Sequence, residues 1–184
     1  MKKWRGIAFC FILLGLCFSV STVSFAAKGK GEAVKQAKSY LEYSAYSKSG
    51  LMKQLTTDGF SKKEAKYAVE RCGADWKKQA RRRAEDYVKV SAYSKEGLAR
   101  QLEFDGFSKK QAAYGAKKSG ADWDAMALKK AETYMLLSKY SKSGLIEQLE
   151  FDGFTKKQAE AAAKKAVKKE AKEAAKKLTK KKKK

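Results

Sequence analysis

One block of sequence occurs three times in this chain, at a fixed spacing. The copies begin at Tyr46, Tyr93 and Tyr140, 47 residues apart, and the last runs to Ala159. A period of this length is typical of arrays of helical units that bury their apolar faces partly against each other. The repeat therefore predicts an all-α protein built from three tandem units.

Each unit is predicted to contain three helices, A, B and C. In the second copy, Gly-Ala-Asp-Trp favours the end of one helix and the start of helix A, over about Trp76 to Val90. Ser94 is the expected N-cap of helix B, which Asp105-Gly106-Phe107 ends with a glycine in the left-handed region. Ser108 and Gln111 form a capping box that begins helix C. The B–C pair resembles a helix-turn-helix.

This pattern divides the chain into five parts. Beyond the third unit, Ala174 and Leu178 stay in register with helix A residues, so a decayed fourth helix A is expected to continue helix C without a break. The expected segments are a signal segment at 1–26, repeats at 32–73, 74–120 and 121–167, and a Lys-rich helix with a disordered tail at 168–184.

Several residues recur with the period and are expected to be structural. Tyr93, Phe104, Phe107 and Trp123 are predicted to lie in the core or at junctions between units. Gly97, inside the first turn of helix B, predicts close approach by a neighbouring helix, because glycine there costs about 1 kcal/mol relative to alanine.

The composition argues against catalysis. The chain has no histidine, so the commonest general base and transition-metal ligand is missing. Cys72 alone lies outside the N-terminal apolar segment, and we expect it to be a small buried residue. No Gly-rich phosphate loop and no nucleophile with a plausible base stands out. An enzyme is therefore the weakest functional class, and neither cofactor nor metal is expected.

The net charge of +23 indicates an anionic partner. Lysines recur in the first turns of helices B and C, where a cation opposes the helix dipole at a cost of tenths of a kcal/mol. An edge that binds anions through lysines and free helix N–H groups would explain this choice, and duplication of a tolerated feature would explain it equally well. The helix B lysines are Lys48, Lys95 and Lys142, and the candidate binding residues are Lys62, Lys63, Lys109, Lys110, Lys156 and Lys157, with Lys180, Lys181, Lys182, Lys183 and Lys184 in the tail.

The N-terminal segment is typical of an export signal. Basic residues precede an apolar run, and Ser24-Phe25-Ala26 places small residues before a cleavage site at Ala27. Two alternatives remain open. Cys17 is a possible lipidation site, although bulky Leu16 precedes it, and the segment is long enough to stay as an uncleaved membrane anchor.

The motifs together resemble a known family. Tyr-Ser-Lys-x-Gly-Leu, Asp-Gly-Phe-[Ser/Thr]-x-x-x-Ala and Gly-Ala-Asp-Trp resemble the Ltp-like repeat of host cell surface-exposed lipoproteins of Gram-positive bacteria and their phages. The resemblance implies tandem helix-turn-helix-like repeats and a non-enzymatic surface protein. Phage-borne members are associated with superinfection exclusion, which blocks entry of another phage's DNA.

The expected partners follow from export and charge. They are a cell-envelope polyanion, either teichoic acid or anionic lipid, and a phage or cell-surface protein, with the chain itself a monomer. The alternative is a polyanion-binding or DNA-binding helix-turn-helix protein. Export argues against chromosomal DNA, and helix C of the third unit offers mostly Lys, Ala and Glu rather than the Arg, Asn or Gln that read bases.

Overall fold

The computed structural model describes residues 29–138 and 140–181, and nine α-helices account for the regular structure of this part of the chain. Their bounds are α1 Gly29–Tyr43, α2 Lys48–Thr57, α3 Lys62–Arg71, α4 Trp76–Val90, α5 Lys95–Phe104, α6 Lys109–Lys118, α7 Trp123–Leu137, α8 Lys142–Phe151 and α9 Lys156–Lys181. They form three repeats, α1–α3, α4–α6 and α7–α9, which we call repeats 1, 2 and 3. The all-α prediction of three three-helix repeats is confirmed.

The predicted caps set the helix boundaries. Asp75 caps α4, and its carboxylate accepts backbone N–H bonds from Lys77 and Lys78 at 3.0 and 3.1 Å. Ser108 and Gln111 form the predicted capping box of α6. Gly106, at φ +89°, lies in the turn after α5, where a residue with a Cβ atom would be strained.

Each repeat has its own small core. Alanines on helices A and C let the helices approach closely, and two leucines of helix B fill the space between them. In repeat 2 the approach is so tight that a Cβ atom on Gly115 would lie 2.6 Å from the carbonyl oxygen of Ala80. The buried residues of this core are Ala80, Ala84, Leu98, Leu102, Phe107, Ala112 and Ala116.

An aspartate after helix B ties that helix to helix A. The Asp105 carboxylate accepts hydrogen bonds from the Tyr87 hydroxyl at 2.8 Å and from Arg83 Nε at 2.9 Å. Burial, and then the bond to Asp105, raise the pKa of Tyr87 to about 12, so the phenol stays protonated and donates at neutral pH. Tyrosine–aspartate bonds of 2.7 Å hold the same positions in repeats 1 and 3.

The repeats are joined through the ends of their B helices. Ser47, the N-cap of α2, donates from Oγ to the carbonyl oxygen of Asp105 at 2.6 Å, and Ser94 donates in the same way to Asp152. Both serines are almost fully buried, at 1% and 2% exposure. Helices α2 and α5 therefore each begin at the C-terminal end of the next B helix, and the opposite ends of the helix dipoles meet favourably.

Two further contacts complete these joints. Trp76 of α4 packs against the core of repeat 1, and Trp123 of α7 packs against the core of repeat 2. The predicted tryptophan junctions are therefore confirmed. Arg82 of α4 donates to the carbonyl oxygen of Leu41 at 2.6 Å, which satisfies one of the terminal carbonyls of α1.

Two structural predictions need correction. Phe104 is 88% exposed, so its predicted core or junction position is wrong. The core-facing side of α5 carries Leu98 and Leu102, and a residue two positions after Leu102 points to the other side of the helix. Gly97 is approached closely by a turn instead of a helix, because its added Cβ atom would lie 3.2 Å from the carbonyl oxygen of Asp152.

Helix α9 continues into the Lys-rich segment without a break, as predicted. Its burial ends at Ala166, and Ala171 and Ala174 of the predicted apolar stripe are exposed. Lys169 forms an ion pair with Glu132 of α7 at 2.9 Å. The helix reaches Lys181, so the first two lysines of the expected disordered end are helical, while residues 182–184 lie outside the described part.

The joint bond can be tested with a matched pair of serines. Ser94→Ala removes a helix cap worth about 1 kcal/mol and an inter-repeat hydrogen bond worth about 1 kcal/mol more. Ser141→Ala removes the equivalent cap of α8, where Ser141 is exposed and bonds to no other repeat among the described residues. Urea unfolding should show about twice the loss of free energy for Ser94→Ala. Equal losses would show that the bond to Asp152 does not stabilise the joint.

Candidate partner-binding surface

The predicted lysine pairs lie at the starts of the C helices. Each pair occupies the first two helical positions of α3, α6 or α9 and is exposed. Because each belongs to a different repeat, the pairs recur along the array instead of forming one cluster. Their positions are Lys62 and Lys63, Lys109 and Lys110, and Lys156 and Lys157.

The helix B starts do not match the predicted anion-binding edge in the first two repeats. The first turns of α2 and α5 face carbonyl oxygens of the following repeat, because Ser47 and Ser94 bind there. Lys48 and Lys95 are exposed, but an anion would have to displace the next repeat to reach the helix ends beside them. Among the B helices of the described residues, α8 is the one whose N-cap serine is exposed.

A groove at the joint of repeats 2 and 3 is the most distinctive surface. It encloses about 390 Å³ between α5, α7 and α8. Phe104 and Phe151, the last residues of α5 and α8, lie at this groove and are 88% and 75% exposed. Large exposed aromatic residues beside a concavity are typical of binding sites for other molecules.

Cations are held in place at the groove. Arg100 pairs with Glu96 on its own helix and donates to the carbonyl oxygen of Asp152 at 3.2 Å. Lys130 lies 3.8 Å from the Asp152 carboxylate, and its ammonium is 5.2 Å from the centre of the Tyr134 ring. The groove thus combines two exposed aromatic rings with two positioned cations.

The groove is not among the sequence-based predictions, because the recurring aromatic residues are expected there in the core or at junctions between units. Repeat 1 has Thr57 at the position of Phe104 and Phe151, so the exposed ring is a feature of repeats 2 and 3. The spacing could have revealed it. Phe104 lies two residues after core-facing Leu102, outside the i, i+4 stripe of the helix.

A second surface is basic. Five exposed lysines of α9 share one side of the helix, because each lies three or four residues from at least one other member of the set. The sequence indicated the high charge of this segment but not its arrangement along one face. The five residues, which we call the α9 lysine face, are Lys165, Lys168, Lys169, Lys172 and Lys176.

Comparison with protein families identifies the repeat. The model of host cell surface-exposed lipoproteins, Lipoprotein Ltp, matches residues 29–71, 75–118 and 122–165. The chain belongs to this family. Each Ltp match covers one set of three helices, and the third ends within α9, so most of the α9 lysine face lies beyond it. Searches among curated proteins and among solved structures found no match.

Membership of the Ltp family agrees with a place at the cell surface. Cys17, the cleavage site at Ala27 and the rest of the export segment lie outside the described residues. Within residues 29–138 and 140–181, no helix combines the length and apolar character needed to cross a bilayer. In the same part of the chain, no group of side chains is suited to hold a metal ion.

Proposed function

We propose that the protein is a non-enzymatic interaction protein of the cell surface that excludes superinfecting phages by blocking entry of their DNA. The observation that carries this proposal is the Ltp match to all three repeats. Phage-borne members of this family are associated with that role. On this proposal the repeats bind a phage or cell-surface protein, and no chemical step is required.

The groove is the surface best suited to such a protein partner. Aromatic residues and arginine are enriched among the residues that dominate binding energy in interfaces. Phe104 and Phe151 offer apolar area without any rearrangement of the core, because both rings are already exposed. Arg100 and Lys130 add polar groups beside the rings, but each already pairs with a carboxylate, Glu96 or Asp152, so the two rings are the main anchor for a partner.

The α9 lysine face and the last five lysines, Lys180 to Lys184, which we call the lysine end, would hold the protein in the envelope. Wall teichoic acids and anionic lipid head groups are the dense polyanions outside a Gram-positive cell. A basic residue near an anionic surface contributes about 1 kcal/mol, and salt screens that contribution. Envelope binding and partner binding would then use separate parts of the chain.

Polyanion binding alone is the second candidate function. It is favoured by the exposed lysine pairs of the C helices and by the α9 lysine face. Nucleic acid would also bind such a surface through its phosphates, but phosphate contacts carry no sequence information. Export of the chain would keep it away from chromosomal DNA.

Phage infection tests the leading proposal. A host that expresses the full chain should plate at least one phage less efficiently than a host without it, while the phage still adsorbs. Phe104→Ser with Phe151→Ser should restore plating, because loss of a hot-spot aromatic residue commonly weakens binding by about 2 kcal/mol or more, which is about thirtyfold. Plaque counts and phage DNA uptake measure the effect.

The matched control is Tyr43→Ser, which removes an aromatic ring that is 83% exposed and does not line the groove. It should leave exclusion intact, and all variants should melt close to the wild-type temperature. Exclusion that survives loss of both phenylalanines would rule out the groove. A full phage panel with no exclusion by the wild-type chain would rule out the function.

The lysine end gives a separate prediction for envelope binding. Deletion of residues 180–184 should leave the fold intact, since burial along α9 ends at Ala166. It should weaken binding to purified walls or anionic vesicles by about 1 kcal/mol per lysine in contact, with the largest deficit at low salt. A variant with five glutamines at these positions controls for chain length. If the deletion variant binds as well as the wild-type chain at every salt concentration, the five lysines only increase solubility.

A further inference from the structure

The open end of the array repeats the chemistry of an internal joint. Residues 46–51 of repeat 1 and residues 140–145 of repeat 3 have the same sequence, Tyr-Ser-Lys-Ser-Gly-Leu. The first difference comes immediately after, where Met52 corresponds to Ile146. In repeat 1, Ser47 donates to the carbonyl oxygen of Asp105 at 2.6 Å, and Ser49 donates to that of Gly106 at 3.0 Å. This pair of serines therefore holds the C-terminal turn of a helix.

The same pair in repeat 3 has the same local geometry. Ser47 and Ser49 have their Oγ atoms 3.3 Å apart, and those of Ser141 and Ser143 are 3.1 Å apart. Ser141 also accepts the N–H of Gly144 at 3.1 Å, as Ser47 accepts that of Gly50 at 2.9 Å. Ser47 is 1% exposed, whereas Ser141 and Ser143 are exposed and make no hydrogen bond to another repeat in the described part of the chain.

We propose that this terminal socket, formed by Ser141, Ser143 and the first turn of α8, binds the C-terminal turn of an acidic helix in a partner protein. The inference rests on the proposed function, in which the chain binds another protein at the cell surface. The socket would be a second contact site of this chain for that partner, separate from the groove. The two serine hydroxyls would donate to the last carbonyls of the partner helix, as they do inside the molecule.

Charge selects a partner protein over a second copy of this chain. Inside the molecule the bound turns follow helices that end in acidic residues, Glu103 and Asp105 in repeat 2, and Glu150 and Asp152 in repeat 3. Lys142 begins α8 beside the socket and is exposed, so it favours such an acidic end. A second copy also has an Asp-Gly turn after α2, but two chains of net charge +23 repel each other.

The joint inside the molecule supplies the probe. An N-acetylated peptide with the sequence of residues 142–155 contains helix B of repeat 3 and its Asp-Gly turn, with three acidic residues and one lysine. Titrated into the full mature chain and followed by NMR, it should shift the amides of Ser141, Ser143 and Gly144. We expect half-saturation on the order of 1 mM, because an isolated helix of this length is only marginally formed.

Two controls make the result specific. Ser141→Ala with Ser143→Ala should abolish the peptide-induced shifts at the remaining socket amides. Because Ser141 caps α8 and accepts the Gly144 N–H, the variant's own spectrum should change in the first turn of α8, while resonances in the other helices should stay in place. A peptide of residues 142–150, which lacks the turn, should give no shifts at the socket. Absence of shifts with the complete peptide, or equal shifts in the double variant, would overturn the proposal.

Other outcomes are also decisive. Shifts that spread over the lysine pairs and vanish with salt would show adventitious binding of an acidic peptide, against the proposal. Socket shifts that depend on protein concentration without peptide would make a second copy the occupant instead of a partner protein. Peptide binding at the socket without phage exclusion would support the socket and overturn the proposed function. Phage exclusion without peptide binding would support the proposed function and overturn the socket.

Discussion

The hydrogen bond from a buried N-cap serine to a carbonyl of the next repeat is the contact on which the array depends. Each core is small, with alanines on two helices and two leucines on the third, and cannot supply much stability alone. Ser47 and Ser94 satisfy the start of one helix and the end of the next at the same time. The tryptophan of the following repeat packs against the core as well.

Much of this fold could be predicted because its signals are local. Caps, glycine turns and the i, i+4 leucines recur every 47 residues, and Asp75, Ser108 and Gly106 hold the positions that their residue types favour. The tryptophan contacts of the joint were predictable in the same way, but its serine bond was not. Ser94 has the sequence pattern of an ordinary N-cap, and its bond to Asp152 links residues 58 positions apart.

The candidate site was harder to predict than the fold. Lysines could be assigned to helix starts by counting, yet the array covers two of the three helix B ends with backbone carbonyls. Phe104 was assigned to the core because it recurs, and recurrence does not distinguish a buried ring from an exposed one. The exposed ring could have been inferred from the spacing of Phe104 and Leu102, but the groove is formed by residues of two repeats, so the sequence of one repeat does not show its shape.

The internal joints and the start of α8 are the same element with and without its ligand, and amide hydrogen exchange tests this directly. The N–H of Gly97 donates to Ser94 inside a joint, and that of Gly144 donates to Ser141 at the open end. Gly97 should exchange at least about tenfold more slowly than Gly144, a difference of 1.4 kcal/mol in opening free energy. Equal exchange rates in the two amides would show that the joint adds no protection, and would contradict the account.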